Sequence, residues 1–422
     1  MSLIEDQLQA LDLVKQGKSI FLTGIPGAGK SYTLKMIIQY LKNKGKKIAI
    51  TASTGCAAVL INGQTINSYL CLGIGNKKIE TIVQNIKKYN PKILSLQTLI
   101  IDEISMIDDK TMDMISTILC KLHDTRQPFG GIQMIFVGDF CQLPPVDGFY
   151  CFTSKSWNQL NPECINLTKS FRQEGDLLFQ KILEEVRYGK CSKKTFKILQ
   201  NLQTNVVYNP TKLFALNTDV VMLNNSAFTN LYQTAYKKPH TEAKIIICYP
   251  PLVTDILPKE EYEDSCIFCY NAFTNDKKIK TDDYNISLYP GLQVMVTRNI
   301  NFEKGLINGT IGIVHYLTKT SVCLNVNQTM HIINYYTDLN ENNSTYIKFM
   351  PIKLAYALSI HKSQGATLDA VEIDGSTFIF APGQLYTALS RARNLNSIKL
   401  INLDKDSFIC HRDVKEFYIK KV

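Results

Sequence analysis

Proline and glycine are scarce, at 14 and 22 of 422 residues. That excludes a collagenous or low-complexity chain. No stretch of eighteen apolar residues occurs, so no segment reads as a membrane-spanning helix. The opening, MSLIEDQLQALDLV, lacks a basic segment followed by an apolar one, and a secretory signal is not expected. No segment repeats at a fixed period, and no long linker interrupts the chain. The twelve cysteines are scattered, and Cys266 with Cys269 forms the only C-x-x-C. A structural zinc site wants a second ligand pair at similar spacing, and Cys248, His240 and His315 would have to be recruited in space. These absences lead us to expect an intracellular protein, nuclear or cytoplasmic, with reduced thiols and no membrane partner.

What is present is enough apolar residue, 45 %, to build a real core, and a length that at about 150 residues per domain suggests two or three domains. Lys and Arg number 47 against 37 Asp and Glu, a net charge of +10. That balance favours a polyanionic partner but does not separate DNA from RNA, or either from an anionic membrane.

Short β-branched runs at 19–23, 47–51, 98–101 and 132–137 alternate with helical patterns at 31–42 and 109–122. This is the grammar of a parallel sheet covered by helices on both faces, an α/β fold. Residues 176–203 read as helical, 211–216 as a strand and 221–235 as a helix. Residues 237–287 carry no clear pattern. From 291 to 350, short apolar runs separated by Gly and Asn suggest a small β-rich insertion, and 353–373 with 381–401 return to α/β grammar.

Between the first strand and the first helix of this pattern stands Gly24-Ile25-Pro26-Gly27-Ala28-Gly29-Lys30-Ser31, a complete G-x-x-x-x-G-K-[ST]. Gly24, Gly27, Ala28 and Gly29 allow backbone amides to wrap phosphates, Lys30 can reach the β- and γ-phosphates, and Ser31 can ligate Mg²⁺. A nucleoside triphosphate such as ATP is therefore the expected substrate, with Mg²⁺. Asp102 ends an apolar strand, where it can join the Mg²⁺ shell. Glu103 follows, suited to orienting or deprotonating the attacking water. Gln142, in Gly138-Asp139-Phe140-Cys141-Gln142-Leu143-Pro144-Pro145, can contact the γ-phosphate or that water. A carboxylate poised on water favours hydrolysis over transfer to a small-molecule acceptor, as in a P-loop kinase.

At this point the chain resembles the superfamily 1B DNA helicases, specifically the Pif1 group, with RecD-type enzymes more distant. The resemblance runs from residue 3 to about 400. It is carried by EDQLQALDLVKQGKSIFLTGIPGAGKS, TASTGCAA at 51–58, GQTINSYLCLGIG at 63–75, IDEISMID at 101–108 and GDFCQLPPV at 138–146. LTKSFRQ at 167–173, LAYALSIHKSQGATLD at 354–369 and YTALSRAR at 386–393 follow in the family's order. GLQVMVTRN at 291–299 and GLINGTIGIV at 305–314 resemble the Pif1 group over generic helicases.

The resemblance implies two RecA-like domains with ATP between them. The first would occupy 1–175, with a small 1B insertion near 65–95. The second would run over 176–299 and 353–422, with an SH3-like barrel, 2B, inserted at 300–352. It assigns the adenine to Gln7, a γ-phosphate contact to Arg172, a nucleotide contact to Gly365 and the arginine finger to Arg391. It places Thr51, Ser53, Thr54 and Gly55, with Asn67 in place of the usual His, on the DNA path. His361, Lys362 and Ser363 are the second-domain counterparts. Tyr69 and Phe140 are candidates for stacking on bases, although an aromatic near an apolar run is more often core; His361 has packing as its alternative. The implied activity is ATP-driven 5′–3′ translocation on single-stranded DNA by a monomer, with unwinding at single-strand/duplex junctions and at RNA–DNA hybrids or G-quadruplexes. An RNA-directed translocase of the same superfamily is the alternative. The chain resembles a bare motor core of viral or mobile-element type, able to work with replication or repair proteins.

Overall fold

A computed structural model of the chain describes residues 4–72, 78–171, 173, 175–207, 210–236, 247–249, 252–255, 286–298, 300–301, 304, 306, 310–326, 328–339, 345–376 and 379–421. Arg172, His240, Cys266 and Cys269 lie outside the described residues, as does most of 237–287. The chain divides into two compact units, Met1–Leu216 with Ser359–Val422, and Asn217–Leu358.

The first unit opens with α1 (Glu5–Lys15), β1 (Ile20–Gly24), α2 (Lys30–Asn43), β2 (Ile48–Ala52), α3 (Gly55–Leu60), β3 (Gln64–Thr65), α4 (Ile66–Tyr69) and α5 (Ile79–Tyr89). It continues with β4 (Thr98–Asp102), α6 (Asp109–His123), β5 (Gln133–Val137), α7 (Lys155–Leu160) and β6 (Glu163–Leu167). The six strands form one parallel sheet in the order β3-β2-β4-β5-β1-β6. Every residue of β1 and β4 is buried, as a strand covered on both faces requires. α2 lays Leu34, Ile37, Ile38 and Leu41 on the sheet at i, i+3, i+4 and i+7. α6 starts at Asp108, whose carboxylate accepts the Thr111 N–H at 2.8 Å. Leu22 of β1 pairs with Val137 of β5, and Ile101 of β4 with Phe136, so these three strands end together. The loops that follow them share that edge, where ligands of parallel sheets bind.

The stretch 176–203 is two helices, α8 (Leu177–Arg187) and α9 (Lys193–Asn201). Ser192 caps the second by accepting the Thr195 N–H at 3.2 Å. β7 (Thr211–Phe214) follows.

The second unit begins with α10 (Asn217–Tyr236), then β8 (Ile247–Tyr249), β9 (Leu252–Asp255), β10 (Ile286–Leu288), β11 (Gln293–Val296), β12 (Ile311–Leu317), β13 (Ser321–Val326), β14 (Thr329–Asn334), β15 (Tyr336–Leu339), β16 (Thr345–Phe349) and β17 (Ile352–Leu354). An antiparallel sheet in the order β14-β13-β12-β11-β17 encloses Val294, Val314, Val322, Leu324, Ile333 and Ile352. This is the expected β-rich insertion; its sheet starts at Gln293, ahead of residue 300.

The chain returns through β18 (Ala357–Ser359) to β19 (Val371–Asp374), α11 (Gln384–Leu389), β20 (Ile398–Ile401) and α12 (Arg412–Lys421). β19 pairs in parallel with β7 and β20, a second parallel sheet core in the first unit. α12 packs against the first sheet, where Phe417 meets Phe21, Phe140 and Phe152. Phe140 is fully buried in this cluster, so the packing role holds and base stacking by it is excluded.

Candidate active site

The phosphate loop leaves β1 and turns into α2 through Gly29, which caps the helix at φ +86°. A Cβ there would sit 2.8 Å from the tip of the Gln7 side chain, which can shift, so it is the positive φ that calls for glycine. Gln7 is 1 % exposed. Its Oε1 accepts the Ile4 N–H at 3.2 Å, whereas its Nε2 has no hydrogen-bond partner among the described residues. Lys30 Nζ donates to the Gly24 and Ile25 carbonyls at 2.7 and 3.2 Å, within the loop. Ser31, in the first turn of α2, is exposed. No acidic residue occupies that turn, so the positive end of the helix is left for an anion.

Asp102 ends β4 and Glu103 follows it. The Glu103 N–H donates to Asp102 Oδ1 at 2.8 Å. Burial, reinforced by the neighbouring Glu103 charge, pushes the Asp102 carboxyl up to about 7. Glu103 sits at φ +50°, a left-handed conformation that a non-glycine residue adopts at a cost. Ser53 holds it, its hydroxyl donating to the Glu103 carbonyl at 2.7 Å and its N–H to the Asp102 carbonyl at 3.0 Å. From the segment preceding β19, Gln364 Nε2 donates to Glu103 Oε2 at 3.0 Å and reaches Ser105 Oγ at 3.4 Å.

The loop after β5 carries Gln142, 4 % exposed, whose Oε1 has no partner among the described residues. Its N–H donates to the Asp139 carbonyl at 3.0 Å. Asp139 is fully buried. Its Oδ1 accepts from Arg187 Nε and Nη2 at 3.3 and 3.0 Å, Tyr418 OH at 3.1 Å and the Cys141 N–H at 3.2 Å. Tyr386 OH donates to its Oδ2 at 2.9 Å. Burial, the largest single influence, would raise this carboxyl; the Arg187 and Lys30 charges with the hydrogen bonds from Arg187 and Tyr386 together outweigh it and hold the group below the usual carboxylate range. Gly383, at φ +75°, brings α11 against the same loop, since a Cβ there would lie 2.3 Å from the Gln142 carbonyl oxygen.

Arg391, the expected finger, is 2 % exposed. Its Nε donates to the Thr387 carbonyl at 2.9 Å, and Nη1 donates to the Ser363 and Ala366 carbonyls, each at 3.3 Å. Nη2 donates to Ser390 Oγ at 2.7 Å. The arginine thus frames the segment bearing Gln364 and Gly365.

The expected DNA residues fall into two groups. Thr51 is fully buried and donates to the Ile100 carbonyl at 2.6 Å, tying β2 to β4, and buried Ser363 donates to the Ile360 carbonyl at 2.8 Å. Their hydroxyls are committed inside the fold, so hydroxyl contact to a phosphate is not available to them in this conformation. Gly55, Asn67 and Lys362 are exposed, while Thr54, Tyr69 and His361 are half-buried. Burial lowers the His361 pKa and raises that of Tyr69 to about 12.

The sequence reading gave no role to Gln364, Asp139 or Tyr386, although all three lie inside quoted motifs. Arg187 and Tyr418 carry no local signal; only the fold brings them to Asp139. The residues at the phosphate loop fit a nucleotide: glycines that open a cradle, a lysine, a helix N-terminus and two buried side-chain amides each with one atom unpartnered among the described residues.

Comparison with known proteins agrees. A family model described as "PIF1-like helicase" matches residues 2–197, and one for the "DNA helicase Pif1, 2B domain" matches 285–317. The human ATP-dependent DNA helicase PIF1 is 33 % identical over 434 residues, covering 99 % of this chain and 63 % of its own length. The chain therefore spans just under two thirds of that relative. The crystal structure of Pif1 helicase from Candida albicans superposes with a TM-score of 0.83 at 30 % identity, over 100 % of both chains. That of Bacteroides Pif1 in complex with ADP-AlF3 and ssDNA gives a TM-score of 0.70 at 26 % identity, over 100 % of this chain and 97 % of its own. Identity of 30 % sustained along the whole of a solved relative reaches beyond a shared fold, and the chain belongs to the PIF1-like helicase family.

Proposed function

We propose that this chain is an ATP-driven DNA helicase that moves 5′ to 3′ on single-stranded DNA and opens duplex ahead of it. The observation that carries the reading is the bond from Gln364 to Glu103. It joins the segment framed by Arg391 to the carboxylate beside the phosphate loop, so the state of one side is felt at the other.

In this reading Gln7 receives the adenine, and the amides of Gly24–Gly29 with Lys30 hold the phosphates. Glu103 deprotonates the attacking water, and Gln142 orients it. Arg172 and Arg391 neutralise charge on the leaving phosphates, for which a fork that stays charged is suited. Arg391 does so by exchanging some of its carbonyl partners when the site closes. Gly365 keeps the segment beside it close to the nucleotide. A Mg²⁺ ion held by Ser31 and Asp102 would offset phosphate charge, and the raised Asp102 carboxyl is a group that a cation would stabilise as the anion. Ser53, Thr54, Gly55 and Asn67 line one half of the strand's path and His361 with Lys362 the other. The backbone amides, the Asn67 side chain and the Lys362 charge suit sequence-independent phosphate contact. Closure on ATP and opening after hydrolysis then step the strand through.

The test is unwinding of paired duplexes, one with a 5′ and one with a 3′ single-stranded tail, with RNA and hybrid tracks alongside. We expect unwinding of the 5′-tailed DNA alone, dependent on ATP. Selective opening of the 3′-tailed duplex would reverse the polarity, and selective action on RNA would favour the RNA-directed alternative. Absence of DNA-stimulated hydrolysis would sink the helicase reading. Lys30→Ala should lower that hydrolysis by about 10²–10³-fold.

A further inference from the structure

We propose that Arg187 is a positioning residue for ATP hydrolysis: through Asp139 it holds the loop after β5 so that Gln142 faces the nucleotide. The proposal rests on the reading of Gln142 given above.

Arg187 lies in the last turn of α8, outside every motif quoted from the sequence. It and Asp139 form a buried ion pair, 3 % and 0 % exposed. Such pairs are a poor way to gain stability, because removing two charges from water costs about as much as their attraction returns. What a pair of this kind does supply is direction. Both Nε and Nη2 of Arg187 reach the same oxygen, Asp139 Oδ1. The guanidinium lies over the Tyr418 ring at 4.8 Å and the Tyr188 ring at 5.3 Å, so its plane is set. Oδ1 in turn accepts the Cys141 N–H, and the Asp139 carbonyl accepts the Gln142 N–H. Two consecutive amides of the loop are thereby fixed by the residue Arg187 holds. Tyr386 closes the other oxygen from α11, the helix that Gly383 presses against the Gln142 backbone. α8, α11 and α12 therefore converge on one carboxylate three residues before Gln142. A displacement of about 1 Å in a catalytic group can cost up to about 10²-fold in rate, so the loop's placement is worth such an anchor.

Arg187→Lys keeps the charge but not the two-pronged contact or the stacked plane. Tyr386→Phe keeps the ring but loses the donation to Oδ2, and it serves as the second variant should the first fail to fold. For each, three quantities are compared with the wild-type full chain: kcat and KM for ATP with single-stranded DNA, the thermal midpoint, and hydrogen exchange in 138–146 against that in 30–43. We expect kcat to fall roughly tenfold for Arg187→Lys at temperatures well below its midpoint, with KM within about twofold. Exchange should rise in 138–146 and not in 30–43. Tyr386→Phe should move the same quantities less. Unchanged exchange in 138–146 overturns the proposal, as does a kcat loss that merely tracks the unfolded fraction. If the wild type itself shows no DNA-stimulated hydrolysis, the helicase reading fails, and the exchange measurement still decides whether Arg187 holds the loop.

Discussion

Two buried polar clusters sit at neighbouring strand ends of the same sheet, and they are finished differently. At the end of β5, both oxygens of Asp139 are occupied, by Arg187, Tyr418, the Cys141 amide and Tyr386. Around the phosphate loop, Gln7 Nε2, Gln142 Oε1 and Gln364 Oε1 have no partner among the described residues. The carboxylates follow suit: despite its burial, Asp139 is held below the usual range by Arg187, Lys30 and its hydrogen bonds together, while Asp102 is pushed up to about 7 by burial beside Glu103. Burial is common to both clusters, so satisfaction is what distinguishes them. Buried polar atoms without partners are uncommon in folded proteins and ask for an explanation. A saturated cluster is a joint, and an unsaturated one is shaped for something that binds.

Substitutions break this comparison most sharply at Asp139. Asp139→Ala leaves Arg187 buried without its counter-charge, and should cost about 3–5 kcal/mol of stability. Urea unfolding of the ligand-free chain reads this directly. A loss under about 1 kcal/mol would mean that the joint is not one.

The opposite behaviour is expected at the unsaturated cluster. Gln142→Leu removes a buried oxygen that has no partner to lose, so stability should change by less than about 1 kcal/mol. DNA-stimulated turnover should nevertheless fall by about 10²-fold. Gln7→Leu should instead raise KM for ATP several-fold, with kcat nearly kept, because it touches the base rather than the reacting phosphate. Large losses of stability in either variant would make these glutamines part of the core.

How far the sequence foresaw the two clusters follows from their geometry. The phosphate loop is one contiguous octapeptide between a strand and a helix, and Asp102 with Glu103 follows another legible apolar run, so local pattern was enough. Asp139 has partners 48, 247 and 279 residues away, and no local pattern encodes such a meeting. Thr51 shows an intermediate case. The resemblance placed the whole run 51–55 on the DNA path, but strand alternation in β2 turns Thr51 inward to the Ile100 carbonyl, whereas Ser53 lies beyond the strand end, against Glu103. The β-rich insertion was legible from its short runs, which start at 291 and so include β11, whereas the resemblance drew its boundary at 300; Gln293–Val296 pairs with both β12 and β17.

The smallest expected effect concerns His361, and it separates packing from contact. Burial lowers its pKa, so between that value and the ordinary one near 6.5 the folded chain binds fewer protons than the unfolded chain. Its contribution to stability is therefore full above about pH 6.5 and lost as pH falls through the lowered value. Because the ring is only half-buried, the change should stay below about 1 kcal/mol. His361→Gln should remove that part of the difference in urea stability between pH 7.5 and 5.5. A DNA phosphate beside the ring would act the other way, favouring the protonated form. Affinity for single-stranded DNA would then strengthen from pH 7.5 to pH 6 in the wild type more than in His361→Gln. An affinity slope assigns His361 to the strand's path, and a stability slope without one assigns it to packing.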